Sequence, residues 1–134
     1  MEATCTATAH LLDYVATYSN DGIIYRASGM VLAAHSDAAY LNVSNTCSRI
    51  GTHIMISEDM LAPPFNGPVL TIANIIKFVM SSMAEVELVG LFITAKEMVP
   101  LRQSLLKMGW LQPPSPIQMD NSSAVGVTNN TIVP

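Results

Sequence analysis

Three acidic residues occupy positions at which the chain is expected to end a strand or to begin a helix. Asp37 closes an apolar run at residues 30–34, Glu87 lies near the start of the longest helical pattern, and Asp120 ends a short apolar segment. Carboxylates gathered at one edge of a sheet repel one another unless a cation lies between them. Carboxylate and water oxygens are the usual ligands of Mg²⁺, and pairs of such ions cleave phosphodiesters. Convergence of the three acids would therefore indicate metal-dependent phosphodiester chemistry.

Each of these acids also has a purely structural explanation. Asp37 could form a turn, Glu87 could favour the positive end of its helix, and Asp120 could cap the next helix. Glu85 lies about 200° around the same helix from Glu87, so only one of the two can face the sheet. Taken singly, the structural explanations are at least as good as the functional one. Taken together, three acids at one predicted edge favour a site.

Composition and length bound the class of protein. The chain has 134 residues, of which 50% are apolar and 12% charged, and its mean hydropathy is +0.38. This fits one domain with a substantial core, and it predicts apolar surface that meets a partner or another part of a chain. The first ten residues lack the basic and apolar regions of a signal peptide, and no apolar run is long enough to span a membrane. Cys5 and Cys47 are isolated thiols, so we expect an intracellular protein, cytoplasmic or nuclear, that is not secreted.

The charge balance argues against a broad basic surface. The formal net charge is −4, but four of the six basic residues, Lys77, Lys96, Arg102 and Lys107, fall in one region. They could form a modest positive patch for nucleic acid. An ordinary solvated helix face is the favoured interpretation.

The first half of the chain has the pattern of a small sheet. Residues 9–17 are typical of a short helix, and residues 22–26 and 30–36 predict a hairpin. Residues 49–57 alternate loosely between apolar and polar side chains, as a strand does. After a loop rich in proline and glycine, residues 68–80 predict a further strand, with a break near Asn74.

The second half of the chain changes to helical spacing at Ser82, which with Glu85 resembles a capping box. The helix should begin at Met83, break at Pro100 and restart over residues 101–108. Residues 117–119 predict a short strand and residues 121–129 a helix. A strand reached across a helix should run parallel to an earlier strand. We therefore expect residues 117–120 beside residues 30–37, with two aspartates at one edge, where open α/β sheets bind ligands.

Five segments of the chain resemble, in order, the motifs of one known family. The segment HLLDYVATYSNDGIIYR resembles its helix-and-strand lead-in, and AAHSDAAYL resembles its G-x-S-D-A-D-W segment. SRIGTHIMI resembles S-T-S-G-Y-V-F, SSMAEVELVGL resembles S-T-T-E-A-E-Y-x-A-L, and MDNSSAVGV resembles C-D-N-Q-S-A-I. On these segments the chain resembles the ribonuclease H domain of copia-type retrotransposon polyproteins. The resemblance implies an α/β, ribonuclease H-like mixed sheet with three antiparallel strands and a parallel strand reached through a helix. It also implies a helical lead-in at residues 1–20 and the ribonuclease H-like domain at residues 21–134.

The resemblance implies a function for the three acids. Asp37, Glu87 and Asp120 would be the catalytic metal ligands of an endoribonuclease that cuts RNA–DNA hybrids with two Mg²⁺, or with Mn²⁺ as a substitute. Substrate contacts are implied for four neighbouring polar residues, namely Ser36, Ser82, Asn121 and Ser122, although capping explains Ser82 and Asn121 equally well. The reverse transcriptase portion of the parent polyprotein is an implied partner, and no membrane is.

The departures from the family leave two alternatives open. Family members continue into another strand and a helix with a further ligand, whereas this chain stops at TNNTIVP. Ala39 and Tyr40 also replace the usual Asp-Trp pair. We expect a truncated domain, lacking the last strand and helix, with weaker binding of the second metal and of the hybrid. The alternatives are a non-catalytic remnant or protein-interaction module with the same fold, and another ribonuclease H-like nuclease or integrase. The position of Glu87 disfavours an integrase.

Overall fold

The computed structural model of the protein describes residues 2–43 and 47–129. This part of the chain forms three helices and four strands. In chain order they are α1 (Glu2–Thr17), β1 (Val31–Val43), β2 (Cys47–Ser57), β3 (Pro68–Ile76), α2 (Met83–Lys107), β4 (Ile117–Gln118) and α3 (Ser122–Thr128). Among the described residues, no helix combines the length and the apolar character needed to cross a bilayer.

The four strands form one mixed sheet in the order β3-β2-β1-β4. β1 pairs with β2 and β2 with β3, both antiparallel. β4 follows α2 and lies parallel to β1, with Ala34 opposite Ile117 and His35 opposite Gln118. The predicted fold class is confirmed: three antiparallel strands are followed by a parallel strand reached through a helix, in an arrangement consistent with a ribonuclease H-like sheet.

The core lies between α2 and one face of this sheet. Because side chains alternate along a strand, the even-numbered residues of β1 from Leu32 to Ala38 point to α2. One cluster of buried apolar side chains joins the start of β1 to the second half of α2: Leu32, Ala34, Ile54, Met98 and Leu105. A second cluster joins the end of β1 to the first half of α2: Ala38, Ile50, Ile76 and Val86. The two clusters fix α2 along its length against β1 and β2.

The predicted break at Pro100 is wrong, because α2 runs without interruption from Met83 to Lys107 with Pro100 inside it. Proline removes one backbone donor and crowds the preceding turn, which usually ends or kinks a helix. Here Met98 and Leu105, one before and one after the proline, are buried in the same cluster. Packing of both segments on one core outweighs the local cost of the proline.

The predicted strand at residues 22–26 is also absent, so β1 has no hairpin partner on its N-terminal side. Residues 21–30 have no regular secondary structure, and Ile23, Ile24 and Tyr25 are largely exposed. Their strand propensity is local, whereas a strand also needs a partner with a matching edge. α1 begins earlier than predicted, at Glu2 rather than at residue 9. The division of the chain at residues 1–20 and 21–134 stays a prediction.

Several other boundaries differ from those predicted. β1 continues to Val43, well past Asp37, because its pairing with β2 reaches Ala39 opposite Arg49 and, after a register shift, Val43 opposite Cys47. β3 ends at Ile76 rather than at residue 80 and is unbroken at Asn74, which pairs with Ile50. Asp37 therefore lies within a strand rather than at its end.

Candidate metal centre

Two neighbouring strands bring Asp37 and Asp120 to the same place on the sheet. β4 pairs with β1 over only two residues, at Ala34 and His35, and then ends. Extending that register by two positions sets Asp120 opposite Asp37. Asp37 thus lies on the stretch of β1 that β4 no longer covers, and both aspartate side chains are exposed.

Glu87 approaches the two aspartates from α2. The start of this helix is fixed by Ser82, whose side chain accepts a hydrogen bond from the Glu85 backbone N–H at 3.2 Å. This is half of the predicted capping box. The Glu85 carboxylate accepts from the backbone N–H and the hydroxyl of Ser81, both at 2.7 Å, rather than from Ser82. These bonds lower the pKa of Glu85, and they hold the turn that carries Glu87.

The structure brings the three predicted acids together. One carboxylate oxygen each from Asp37, Glu87 and Asp120 lies within 4.8 Å of the others. Glu87 is fully buried, whereas the two aspartates face solvent. Oxygen ligands from three carboxylates suit a hard divalent cation. The cluster can therefore bind a metal ion, with one ligand anchored in the core and two on the open side.

The electrostatics of Glu87 support the same conclusion. Neither of its buried oxygens has a hydrogen-bond partner among residues 2–43 and 47–129. Burial raises the pKa of Glu87, and the negative charges of Asp120 and Asp37 raise it further. The Ala38 backbone N–H offsets part of this rise, although it does not reach hydrogen-bond geometry. Since buried polar groups in proteins are nearly always paired, an orphaned carboxylate among acids indicates a site that a cation completes.

A cavity of about 360 Å³ opens over the acids. It is lined by His35, Ser36, Asp37, Gln118, Met119 and Asp120. The pKa of His35 is lowered by burial and by the nearby His53, so at neutral pH this histidine supplies no charge to balance the acids. Sequence analysis did not place His35 here, since no histidine shows metal-ligand spacing. Its position two residues before Asp37, on the same face of a strand, is the pattern that could have revealed it.

Of the four residues implied as substrate contacts, three have structural roles and one is exposed to solvent. Ser36 is 3% exposed and lies beside Thr94 in the core. Ser82 caps α2, and Asn121 caps α3 by accepting from the Ala124 N–H at 3.1 Å. Ser122 is exposed. Contact between these four residues and a substrate stays a prediction.

The suggested basic patch loses one of its members. The Arg102 guanidinium donates to the backbone carbonyls of Gln112 and Pro113 and, at 2.8 Å, to the Ser115 hydroxyl. It therefore fastens the loop that leads from α2 to β4. Lys77, Lys96 and Lys107 are exposed, as on an ordinary solvated surface.

Comparisons of the chain with protein-family models, with curated proteins and with solved structures found no match. The chemistry of the centre therefore rests on its own geometry: three carboxylates from distant parts of the chain, one of them buried and unpaired.

Proposed function

We propose that the protein is a retroelement-derived, ribonuclease H-type endonuclease that hydrolyses the RNA strand of RNA–DNA hybrids with two Mg²⁺. The observation that carries this proposal is the convergence of Asp37, Glu87 and Asp120 to within 4.8 Å, with the Glu87 oxygens buried and unpaired. The five segments that resemble copia-type ribonuclease H domains support the assignment, because their three acids are these three. The reverse transcriptase part of the parent polyprotein is the proposed partner, and the proposed location is intracellular.

The three acids would bind metal from two sides of the site. Glu87 would hold metal from the core, where its carboxylate has no other partner, and Asp37 and Asp120 would hold it from the open side. Metal ions held by these three carboxylates would supply the chemistry of water activation and of charge neutralisation at the leaving oxygen. The cavity beside Asp37 and Asp120 leaves space at the open side for a phosphodiester. The backbone at Asp37 is fixed by β2, so the ligand does not depend on a mobile loop.

Specificity for a hybrid would come from shape and from 2′-hydroxyl contacts rather than from base sequence. Ser122 is exposed and lies two residues after Asp120, next to the capping residue Asn121. Ser122 is the residue of the predicted set that is free to contact a sugar or a phosphate without disturbing a cap. Ser36 is almost fully buried, although it lines the cavity beside Asp37 and Asp120.

The proposal is tested by cleavage of a labelled RNA–DNA hybrid in the presence of Mg²⁺. We expect the wild-type chain to cut the RNA strand, Asp37→Asn to abolish cutting, and chelation by EDTA to do the same. Asp21→Asn is a matched control, because Asp21 is exposed and lies outside the acidic cluster. Duplex DNA and duplex RNA should remain intact. Equal, negligible rates for the wild type and Asp37→Asn would refute the catalytic assignment.

A second candidate function, a non-catalytic protein-interaction module, is favoured by a different observation. A cavity of about 620 Å³ lies between the end of β3 and α2, and apolar residues such as Ile76, Phe78, Val89 and Ile93 line it. Leu61 and Leu111 are almost fully exposed. The two candidates separate in one experiment: stabilisation of the chain by Mg²⁺ without hydrolysis of a hybrid would favour the interaction module.

A further inference from the structure

The loop between β2 and β3 presents an aromatic ring on the sheet face that carries Asp37. Phe65 is 59% exposed. Its ring stacks on His53, with centroids 4.4 Å apart and planes 30° apart, and it also contacts His35 at 4.9 Å. Two imidazoles thus support the ring from the sheet side, and a large part of the ring surface remains open to solvent.

This ring lies beside the acidic centre. His35 is two residues before Asp37 on β1, so both side chains point to the same face. Across the strand pair, His53 lies opposite His35 and Gly51 lies opposite Asp37. A Cβ built on Gly51 would meet nothing within 4 Å, so the surface next to Asp37 is clear. An open surface therefore runs from the acids, past His35, to the rings of His53 and Phe65.

The loop that carries Phe65 is held firmly. The Asn66 side chain accepts from the backbone N–H groups of Arg26 and Gly67, at 2.7 and 2.9 Å. It donates to the carbonyls of Arg26 and Ile56, at 3.0 and 2.8 Å. The Asn66 carbonyl is also 2.9 Å from His53 Nε2. An exposed ring on a loop fixed by five bonds loses little further conformational entropy when a ligand stacks on it.

The positively charged side chain of Arg26 lies next to Phe65. Arg26, His53 and Phe65 line a cleft of about 270 Å³ on this side of the molecule. Arg26 donates from Nη1 to the Phe65 carbonyl at 3.3 Å, which uses one of the five N–H donors of a guanidinium. The remaining donors suit a phosphate oxygen. An aromatic ring beside an arginine is the combination that single-stranded nucleic acid recognises.

We propose that Phe65 stacks against an unpaired base of the nucleic acid, with Arg26 at the adjoining phosphate. The inference rests on the proposed function and deepens it, because it names the substrate as a hybrid that carries a single-stranded extension. A base within a duplex is already stacked on its neighbours, whereas an unpaired base has a free face to offer the ring. The extension would lie on the surface that leads away from the acids past His35.

Fluorescence anisotropy with labelled hybrids tests the inference, with Ca²⁺ in place of Mg²⁺ so that binding is measured without cleavage. Base–aromatic stacking predicts that the wild type binds a hybrid with a short single-stranded extension roughly 5- to 100-fold more tightly than a blunt one. We expect Phe65→Leu to remove this preference and Phe65→Trp to retain it. Phe78→Leu is the matched control, because Phe78 is also exposed but lines the cavity between β3 and α2.

The outcomes separate the stacking site from the proposed function. Equal affinity of the wild type for blunt and extended hybrids, or a preference that survives in a folded Phe65→Leu variant, overturns the stacking site while leaving hybrid cleavage and its loss in Asp37→Asn intact. A preference that depends on Phe65, in a chain that cleaves no hybrid, supports the stacking site and removes the nuclease. Absence of binding to either hybrid overturns both. If Phe65→Leu does not fold, as judged by its thermal melt, Arg26→Gln replaces it and should weaken binding of the extended hybrid selectively.

Discussion

Two polar side chains of α2 face the sheet, about two turns apart, and are treated very differently by their surroundings. Thr94 and Glu87 are both fully buried. The Thr94 hydroxyl lies 2.8 Å from the Gly90 carbonyl, 2.9 Å from the Thr52 hydroxyl and 3.3 Å from the Ser36 hydroxyl. The Glu87 carboxylate has no hydrogen-bond partner in the part of the chain that the structure describes.

The presence of hydrogen-bond partners at Thr94 and their absence at Glu87 distinguish a polar group with a structural role from one suited to bind a ligand. A buried hydroxyl with all its partners in place makes a specific join between helix and sheet. A buried carboxylate without partners, next to two other carboxylates, destabilises the folded chain until a cation arrives. The same helix therefore carries a buried polar group with its hydrogen bonds satisfied, at Thr94, and one without them, at Glu87.

Glu87→Gln should have the largest effect, because it removes the unpaired charge that distinguishes Glu87 from Thr94. The amide keeps the size of the side chain but removes the charge that binds metal, so Mg²⁺ should no longer raise the melting temperature. Hybrid cleavage should fall by about 10²-fold or more, since a metal contributes several kcal/mol to such a transition state. Thermal melts with and without Mg²⁺, together with the cleavage assay, measure both effects.

Glu97→Gln, on the same helix but outside the acidic cluster, is the control for that substitution and should behave as the wild type. An undiminished stabilisation of Glu87→Gln by Mg²⁺ would show that the buried carboxylate is not a ligand.

Thr94→Val should give the converse result. Valine keeps the shape of threonine but leaves the buried hydroxyls of Ser36 and Thr52 without their shared partner, at a cost of roughly 1–3 kcal/mol in the free energy of unfolding. The affinity for metal should change little, because the acids are untouched. Urea unfolding gives the first quantity and titration calorimetry with Mg²⁺ the second. A large loss of metal affinity would mean that the two polar groups are not independent.

Gly90 lies between Glu87 and Thr94 on α2. Gly90→Ala should therefore affect both the packing around Thr94 and the position of Glu87. A Cβ at Gly90 would sit 3.3 Å from the Ser36 hydroxyl and 3.4 Å from Ile50 Cγ2. Alanine favours a helix over glycine by about 1 kcal/mol, and this offsets much of the crowding. We therefore expect a change of less than about 1 kcal/mol in the free energy of unfolding. We also expect α2 to shift by a few tenths of an ångström to relieve these contacts, which would displace Glu87 and lower the affinity for metal. Unchanged affinity would show that α2 does not shift.

The smallest effect should be the pH dependence of the metal-free chain. The pKa of Glu87 in the folded chain is raised above its ordinary value of 4.5, by burial first and then by Asp120 and Asp37. The folded state therefore holds this proton more tightly than the unfolded state does. Its stabilising contribution is full below the unfolded pKa and is lost as pH rises through the folded pKa.

The measurement is the difference in melting temperature between the wild type and Glu87→Gln in EDTA, as the pH rises from the unfolded pKa of Glu87 through its folded pKa. We expect the wild type to lose stability relative to the variant as pH rises, and added Mg²⁺ to reverse the trend, since metal competes with the proton. A constant difference would contradict the raised pKa.

The sequence predicted those parts of the fold that follow from local pattern and from general rules of chain connection. Helical spacing and the cap at Ser82 located the start of α2, and the crossover rule predicted that β4 is parallel to β1. The rule also predicted that Asp37 and Asp120 lie close together, as they do, although Asp37 lies within β1 and not at its end. Only one face of α2 can meet the sheet, and the structure shows that Glu87, not Glu85, lies on it.

Other features depend on contacts between distant residues and could not be read from the chain. Residues 22–26 have strand propensity but no partner edge, and Pro100 stays helical because the core holds α2 on both sides of it. The bond between Thr52 and Thr94 depends on the register of β2 against α2, which no local pattern reveals. The approach of Phe65 to His35 depends likewise on the path of a loop.

The brevity of β4 has a consequence for the motions of the centre. Among the described residues, only Ile117 and Gln118 of β4 pair with β1, and the Ala34 N–H adds a backbone bond to the Pro116 carbonyl at 3.0 Å. So few bonds allow the segment that ends in Asp120 to open and close without unfolding of the remaining sheet. A cation shared with Asp37 and Glu87 would fasten that segment, and slower deuterium uptake at the Ala34 amide would report it.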